Sequence, residues 1–265
     1  MGYRKANGLL ALVLAAALPM ALPLEAQRGG GGRGGTPASA KAGAPVDLTG
    51  YWVSIVNEDW RFRMVMPAPG DYQGVPMTAE ARKVADTWSP AKDEASGDMC
   101  KAYGAPALLR VPEHLHITWE DDQTLRMDTD AGKQTRLFHF GDSKTPAGPA
   151  TLQGDSAAVW EVPARGRGAA PPDANAPPQG RGSLKVTTTH LKAGYLRKNG
   201  VPYSENAVLT ENYDMLREHN GDTMLVVTTV VTDPQYLREP FIITSHFKKQ
   251  AGNDGWNPTP CSAKW

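Results

Sequence analysis

The sequence has few of the features that identify a function directly. It holds two cysteines in 265 residues, and Lys plus Arg balance Asp plus Glu at 28 each. A balanced charge creates no field that would attract nucleic acid or an anionic membrane. A Gly-rich phosphate loop, a GxSxG elbow, an HExxH pair and a CxxC pair are all missing. We therefore expect no nucleic-acid partner and no cofactor.

Long apolar runs are also missing, apart from one near the start. Arg4 and Lys5 precede the apolar run 9–18, and small residues follow it. This order is typical of a secretory signal peptide, with Ala26 before the cut and Gln27 as the first mature residue. No later run approaches the roughly 20 apolar residues of a membrane helix. We expect no membrane insertion and a periplasmic or secreted location.

Two segments have the composition of disordered chain. Residues 27–45 are rich in Gly, Ala and Arg, and residues 163–182 are rich in Pro, Gly and Ala. Neither has enough apolar residues to offset the entropy cost of ordering. We interpret 27–45 as a flexible tether and 163–182 as a disordered surface loop. Strands of one type flank that loop, so residues 46–265 are predicted to form one domain.

The two cysteines, Cys100 and Cys261, are expected to form a disulfide, because an oxidising compartment favours a bridge over two thiols. Such a bridge would attach the Pro-rich tail to the front half of the domain. The alternative is a pair of unrelated buried thiols.

Most of the remaining chain alternates apolar and polar residues with period two. Ten short segments rich in β-branched and aromatic residues show this pattern and are bounded by turn formers. They are 51–57, 60–66, 115–119, 124–129, 135–140, 157–162, 184–191, 207–214, 223–232 and 241–248.

The pattern predicts an all-β fold, an antiparallel β-barrel of about 8–10 strands, because barrel closure removes exposed strand edges. One short helix is predicted near the N-terminal part, beginning at Ala79 with Thr78 as its cap and ending before Ser89.

Five segments carry a resemblance to a known group of proteins. They are DLTGYW (47–52), NEDWRFRMV (57–65), CKAYGAP (100–106), RKNGVPYSENAVLTENY (197–213) and DPQYLREPF (233–241). With these segments the chain resembles an uncharacterised family of exported, acidobacterial-type bacterial proteins, and more loosely a lipocalin-like barrel. The resemblance implies a fold and a compartment but no activity. Looser relatives have His-Ser-Glu where this chain has Tyr203-Ser204-Glu205, so a role for that histidine does not transfer.

The histidines suggest a metal site in one interpretation. His114 and His116 lie two apart on a predicted strand and share its polar face, so both could reach one ion. A third ligand would come from His139, His190 or His246. The alternative is a pair of exposed strand histidines with hydrogen-bonded imidazoles elsewhere. Since HxH alone is a weak signal, we predict no metal.

Glu211 and His190 are the candidate acid–base pair. Glu211 lies on the same face of its predicted strand as the apolar residues. On that face desolvation would raise the pKa of its carboxyl and suit it to proton transfer. His190 shares a face with Leu184 and Val186 and is expected to point inward. The alternative is that Glu211 pairs with an arginine such as Arg136 or Arg63 and only fixes strand register.

A ligand-binding role gives a third set of candidates. Arg61 and Arg63, beside Glu58 and Asp59, could clamp a carboxylate in a bidentate way, or could form a salt-bridged barrel exterior. We expect the ligand to be contacted by Arg63, Arg136, His139, Trp119 and Tyr213. The alternative for the aromatic residues is that they pack in the hydrophobic core.

The leading functional prediction is a small-molecule-binding barrel whose ligand is partly apolar and occupies the barrel mouth. One alternative is a cofactor-independent lyase, isomerase or hydrolase that uses Glu211 and His190. Another is an envelope interaction protein with a filled barrel. The sequence leaves the oligomeric state open.

Overall fold

A computed structural model describes residues 39–141, 148–163 and 182–264. The predicted signal peptide at 1–26, most of the tether 27–45 and nearly all of the loop 163–182 lie outside the described residues. Within the described chain, no helix is long and apolar enough to cross a membrane.

The described chain is built mainly of strands. In chain order they are β1 (Gly50–Ile55), β2 (His114–Asp121), β3 (Thr124–Thr129), β4 (Ala131–Gly132), β5 (Thr135–Phe140), β6 (Asp155–Glu161), β7 (Ser183–Thr189), β8 (Gly194–Tyr195), β9 (Pro202–Tyr203), β10 (Val208–Arg217), β11 (Thr223–Thr232), β12 (Phe241–Gln250) and β13 (Thr259–Pro260). The helices are α1 (Trp60–Met64), α2 (Ala79–Asp86), α3 (Pro90–Ser96) and α4 (Ala105–Leu108), with a 3-10 turn at Lys101–Tyr103.

Nine of the described strands close into a barrel, in the order β1-β12-β11-β10-β7-β6-β5-β3-β2. Each strand pairs antiparallel with its neighbours except β5 and β6, which are parallel. An odd number of strands cannot close with antiparallel pairs alone, because directions must alternate around the ring. The all-β barrel is confirmed, and the parallel pair is the one departure from the predicted antiparallel order.

The predicted strand 60–66 is instead the helix α1. Its period-two pattern covers only a few residues, too few to separate a strand from one helical turn. Arg63 is buried, and its guanidinium donates to the carbonyls of Leu109 and Arg110, which holds the segment inward. The predicted helix at Ala79 is confirmed as α2, and Thr78 Oγ1 accepts a hydrogen bond from Ala81 N.

The two ends of the barrel are covered differently. Residues 59–111 and 190–207 cover the end where β12 begins and β11 ends. They form a cap of short helices, loops and the β8–β9 pair, which packs around a second apolar cluster including Met77, Leu196 and Phe241. At the opposite end, residues 39–48 cross the opening. Trp160 Nε1 donates to Ala40 O there, and Leu48 is buried.

The bore of the barrel is filled by inward side chains in two parts. The part away from the cap is apolar and includes Trp52, Ile117, Phe138 and Phe247. The part beneath the cap is polar and is called the polar layer from here on. Its buried members are Arg136, Ser156, Thr188, Glu211, Thr229 and Ser245.

The C-terminal tail is attached to the barrel wall. Cys100 and Cys261 form the predicted disulfide, and β13 pairs with β4. The bridge joins the segment after α3 to the tail across a sequence separation of 161 residues. This linkage holds the tail across the β3 to β5 turn.

Candidate functional site

The polar layer is organised by one buried ion pair. Arg136 Nη1 donates to Glu211 Oε1 at 2.8 Å, and Arg136 Nη2 donates to Glu211 Oε2 at 2.6 Å. Tyr213 also donates to Glu211, and Thr188 accepts from Arg136. Burial raises the pKa of the Tyr213 hydroxyl, and the neighbouring Glu211 carboxylate adds to that rise. Glu211 thus forms a bidentate salt bridge with Arg136, which is the pairing named as the alternative to an acid–base role.

Glu211 and His190 do not meet in the structure. Glu211 pairs across strands with Val186, and His190 follows four residues further along the chain. That separation corresponds to about 13 Å at about 3.3 Å per residue. His190 has a left-handed backbone, φ 56°, which ends β7 and turns the imidazole outward toward Gly148 and Asp155. The expected inward position of His190 is not observed.

A cleft of about 410 Å³ opens at the capped end of the barrel, where α1 meets the start of β12. We call it the α1 cleft. Its lining residues are Glu58, Asp59, Phe62, Gln73, Gly74, Arg197, Phe241, Ile242, Ile243 and Thr244. Apolar walls from α1 and β12 therefore face a charged rim.

Arg197 is the buried cation of the α1 cleft. Its guanidinium carbon lies 4.1 Å from the centre of the Phe62 ring and 5.9 Å from that of Phe241. Nη1 donates to Gln73 O at 2.6 Å. Burial and, second, the nearby positive charge of Arg110 together lower the pKa of Arg197 to about 10, against the opposing effect of Asp59 and Asp71. The site therefore holds a desolvated positive charge against two aromatic faces.

Two more arginines lie behind the cleft and pair with the two acids that line it. Arg63 pairs with Glu58, and Arg110 pairs with Asp59, in both cases with the arginine buried and the acid partly exposed. His246 Nδ1 lies 2.8 Å from the second carboxylate oxygen of Glu58. The acids that line the cleft are thus already engaged by the protein.

A second pocket of about 380 Å³ lies between the barrel rim and the tail, lined in part by Glu113, His114, Asp130 and Gly255. His114 Nδ1 lies 2.7 Å from Asp130 Oδ2. Glu113 is buried, and neither of its carboxylate oxygens has a hydrogen-bond partner among the described residues. Burial, then the charge of Asp130, raises the pKa of Glu113 well above its ordinary value. The pocket therefore combines a carboxyl that favours its neutral form with an imidazole oriented by a carboxylate.

The histidines considered as metal ligands do not converge on one point. His114 and His116 share the outer face of β2, but His116 stacks on Tyr51 at 4.1 Å, away from the Asp130 partner of His114. His139 lies on the outer face of β5 and contacts Thr124. No group of three metal-ligating side chains occurs in the described part of the chain.

The residues expected to line a ligand are also divided. Arg136 and Tyr213 are buried in the bore, and Trp119 packs against Phe140 and Trp160 at the end away from the cap. Arg63 lies behind the α1 cleft. The structure therefore does not bring these residues together around one ligand.

Sequence reasoning missed Arg197 and Phe241, which form the cleft. Arg197 stands in a loop that ends in Asn199-Gly200, a turn signal that marks a loop without indicating where it packs. Phe241 opens a predicted strand and carries no polar signal.

In comparisons with known proteins, no family model, no curated protein and no solved structure matches the chain.

Proposed function

We propose that this protein is an exported small-molecule-binding barrel that holds a partly apolar ligand in the α1 cleft. The observation that carries the proposal is the cleft itself, in which Phe62, Phe241 and Ile242 flank the buried Arg197. Export is supported by the signal-like start of the sequence and by the Cys100–Cys261 bridge, which suits an oxidising compartment.

The size and lining of the cleft suit a small organic molecule. Ligand pockets occupy about 300–1,000 Å³ and combine apolar walls with a few placed polar groups. The α1 cleft holds about 410 Å³, and its walls and rim have that character. The bore, in contrast, is occupied by packed side chains and the polar layer. We therefore place the ligand at the capped mouth and not deep inside the barrel.

Ile242 offers a test that does not threaten the fold. It lines the cleft, yet 61% of it is exposed on β12. Val159 is its matched control, because it is 53% exposed on β6 and lines none of the pockets described above. Ile242→Asp places a charge on the apolar wall and should weaken ligand binding about tenfold or more, whereas Val159→Asp should leave binding unchanged.

The ligand itself is sought by native mass spectrometry of protein purified from its own host. A defined small molecule that is retained by wild type and by Val159→Asp, and lost from Ile242→Asp, supports the proposal. Retention of the same molecule by Ile242→Asp would place it elsewhere. A failure of all three proteins to bind any compound of a broad thermal-shift library would contradict a binding function and favour the filled-barrel interaction protein.

A second candidate function is cofactor-independent acid–base catalysis in the pocket of Glu113 and His114. The observation that favours it is the buried, unpartnered Glu113 carboxyl beside the His114–Asp130 contact. Turnover of a substrate panel that disappears in both Glu113→Gln and His114→Ala, and persists in His116→Ala, would support it. Equal turnover by all four proteins would reject it.

A further inference from the structure

The buried guanidinium of Arg197 has one edge that is hydrogen-bonded and one edge that has no hydrogen-bond partner among the described residues. Nη1 donates to Gln73 O. Nη2 lies 3.8 Å from Asp59 Oδ2, longer than a hydrogen bond, and Nε has no partner among the described residues. The Nε–H and one Nη2–H of a guanidinium point the same way, so together they form an edge that can grip both oxygens of a carboxylate.

This unpartnered edge belongs to a residue that lines the α1 cleft. Gly74 lines the cleft, and a Cβ placed on it would lie 3.6 Å from Arg197 Nη2. The side chain that glycine lacks therefore leaves room next to the donor. The rings of Phe62 and Phe241 hold the guanidinium plane, so little side-chain freedom remains to be lost when a ligand binds.

The charges around the cleft favour an anion. Three buried guanidinium groups, Arg63, Arg110 and Arg197, face the two carboxylates of Glu58 and Asp59. The exposed Arg61–Asp71 pair beside them adds no net charge. Because burial favours the neutral form of Glu113, that carboxyl does not cancel the excess. The three guanidinium groups therefore carry one positive charge more than the two carboxylates supply, and Arg197, at 3.8 Å from the Asp59 carboxylate that Arg110 already binds, has the longest of these ion pairs.

On the premise of the proposed function, we propose that the ligand of the α1 cleft is a small monocarboxylic acid with an apolar body, bound through the Nε and Nη2 edge of Arg197. The apolar body lies against Phe241 and Ile242, and the carboxylate supplies the missing negative charge. A monoanion balances the one uncompensated charge, whereas a phosphate dianion would leave a buried negative charge in its place.

The test compares arylalkyl and alkyl carboxylic acids with their own primary amides, which have the same shape and no charge. Binding to the full mature chain is measured by calorimetry. Hydrogen bonds to charged groups contribute about 1.5–3 kcal/mol, so wild type should bind each acid roughly tenfold to a hundredfold more tightly than its amide. This comparison needs no variant, so it stands even if a substitution at Arg197 impairs folding.

Three variants assign the preference to one residue. Arg197→Gln should abolish the acid preference while amide binding changes little, and Arg197→Lys should retain part of it. Arg61→Gln is the control, because its guanidinium is exposed and paired with Asp71 outside the cleft lining. It should keep the full preference.

The outcomes separate this inference from the proposed function. If acids and amides bind wild type equally and Ile242→Asp weakens both, the cleft binds ligands but the carboxylate inference is wrong. Equal loss of acid and amide in Arg197→Gln would also overturn it, because Arg197 would then only support the wall. Binding of acids that is unaffected by Ile242→Asp would contradict both proposals.

Discussion

Arg136 and Glu211 face each other inside the barrel through two parallel hydrogen bonds, with both side chains fully removed from solvent. Arg136 projects from β5 and Glu211 from β10, two strands that are not neighbours in the barrel. The pair therefore crosses the bore beneath the cap and links two strands that are three positions apart in the barrel.

Removing one partner of this pair should strongly destabilise the protein. Arg136→Met leaves the Glu211 carboxylate buried without its counter-charge, which costs about 3–5 kcal/mol of unfolding free energy. The double variant Arg136→Met with Glu211→Leu should recover much of that loss, since no uncompensated charge remains. Urea unfolding of both single variants and the double variant measures the coupling. Additive losses would show that the two side chains do not stabilise each other.

The disulfide should stabilise the domain by restricting the unfolded chain. For the 161-residue separation of Cys100 and Cys261, the chain-entropy model predicts about 5 kcal/mol as an upper value. The double variant Cys100→Ser with Cys261→Ser should unfold at lower urea concentration than wild type. A reductant should lower the wild-type midpoint toward that of the variant and leave the variant unchanged. A wild-type midpoint insensitive to full reduction would contradict the prediction.

Glu113 should make stability decrease as the pH rises. The pKa of its carboxyl in the folded state lies well above the ordinary value of 4.5, so between those two values the folded state binds more protons than the unfolded state. The contribution of the neutral carboxyl is therefore fully present below the unfolded pKa and is lost as the pH rises through the folded pKa.

The variant Glu113→Gln should flatten this part of the profile, which is measured by urea midpoints from acid to neutral pH. Each unit of pKa difference corresponds to about 1.4 kcal/mol. Glu205→Gln, at an exposed position, is the control and should follow wild type. A profile of Glu113→Gln parallel to wild type would show that Glu113 does not titrate differently in the two states.

Thr78 should stabilise both a helix and its attachment to the barrel. Its hydroxyl oxygen accepts from Ala81 N at the start of α2, and the same hydroxyl donates to Gln235 O near the β11 to β12 corner. Thr78→Ala should cost about 1 kcal/mol or more, because loss of an N-cap alone typically costs about that much. Thr78→Ser retains the hydroxyl and should lose little. Equal urea midpoints for the alanine variant and wild type would contradict the role.

The barrel could be predicted because each of its strands carries its own signal. Segments such as 223–232 alternate over ten residues, and β-branched side chains and flanking turns mark their ends. The short segment 60–66 had too few residues for its period to be distinctive. Its conformation depends on Arg63 reaching the carbonyls of Leu109 and Arg110, a contact between distant parts of the chain.

The candidate site was less accessible to prediction. The alternation of residues along its strand predicted that Glu211 faces the barrel interior, where it is buried. Arg136 was one of the arginines considered as its partner. Parity could not indicate that β7 ends at Thr189, so His190 was expected inside although its backbone turns it outward. Arg197 lies in a loop where alternation carries no information, and its approach to Phe62 joins positions 135 residues apart.

By itself, the sequence determined the strand pattern, the paired cysteines and the cap of α2, because side-chain alternation, compartment chemistry and capping act locally or through composition. Tertiary structure alone decided the parallel β5 and β6 pair, the placement of α1 and the packing of the Arg197 loop against Phe62 of α1. These features depend on which distant surfaces meet. The sheet must close on itself with an odd number of strands, and the cap must bury polar groups whose partners lie elsewhere in the chain.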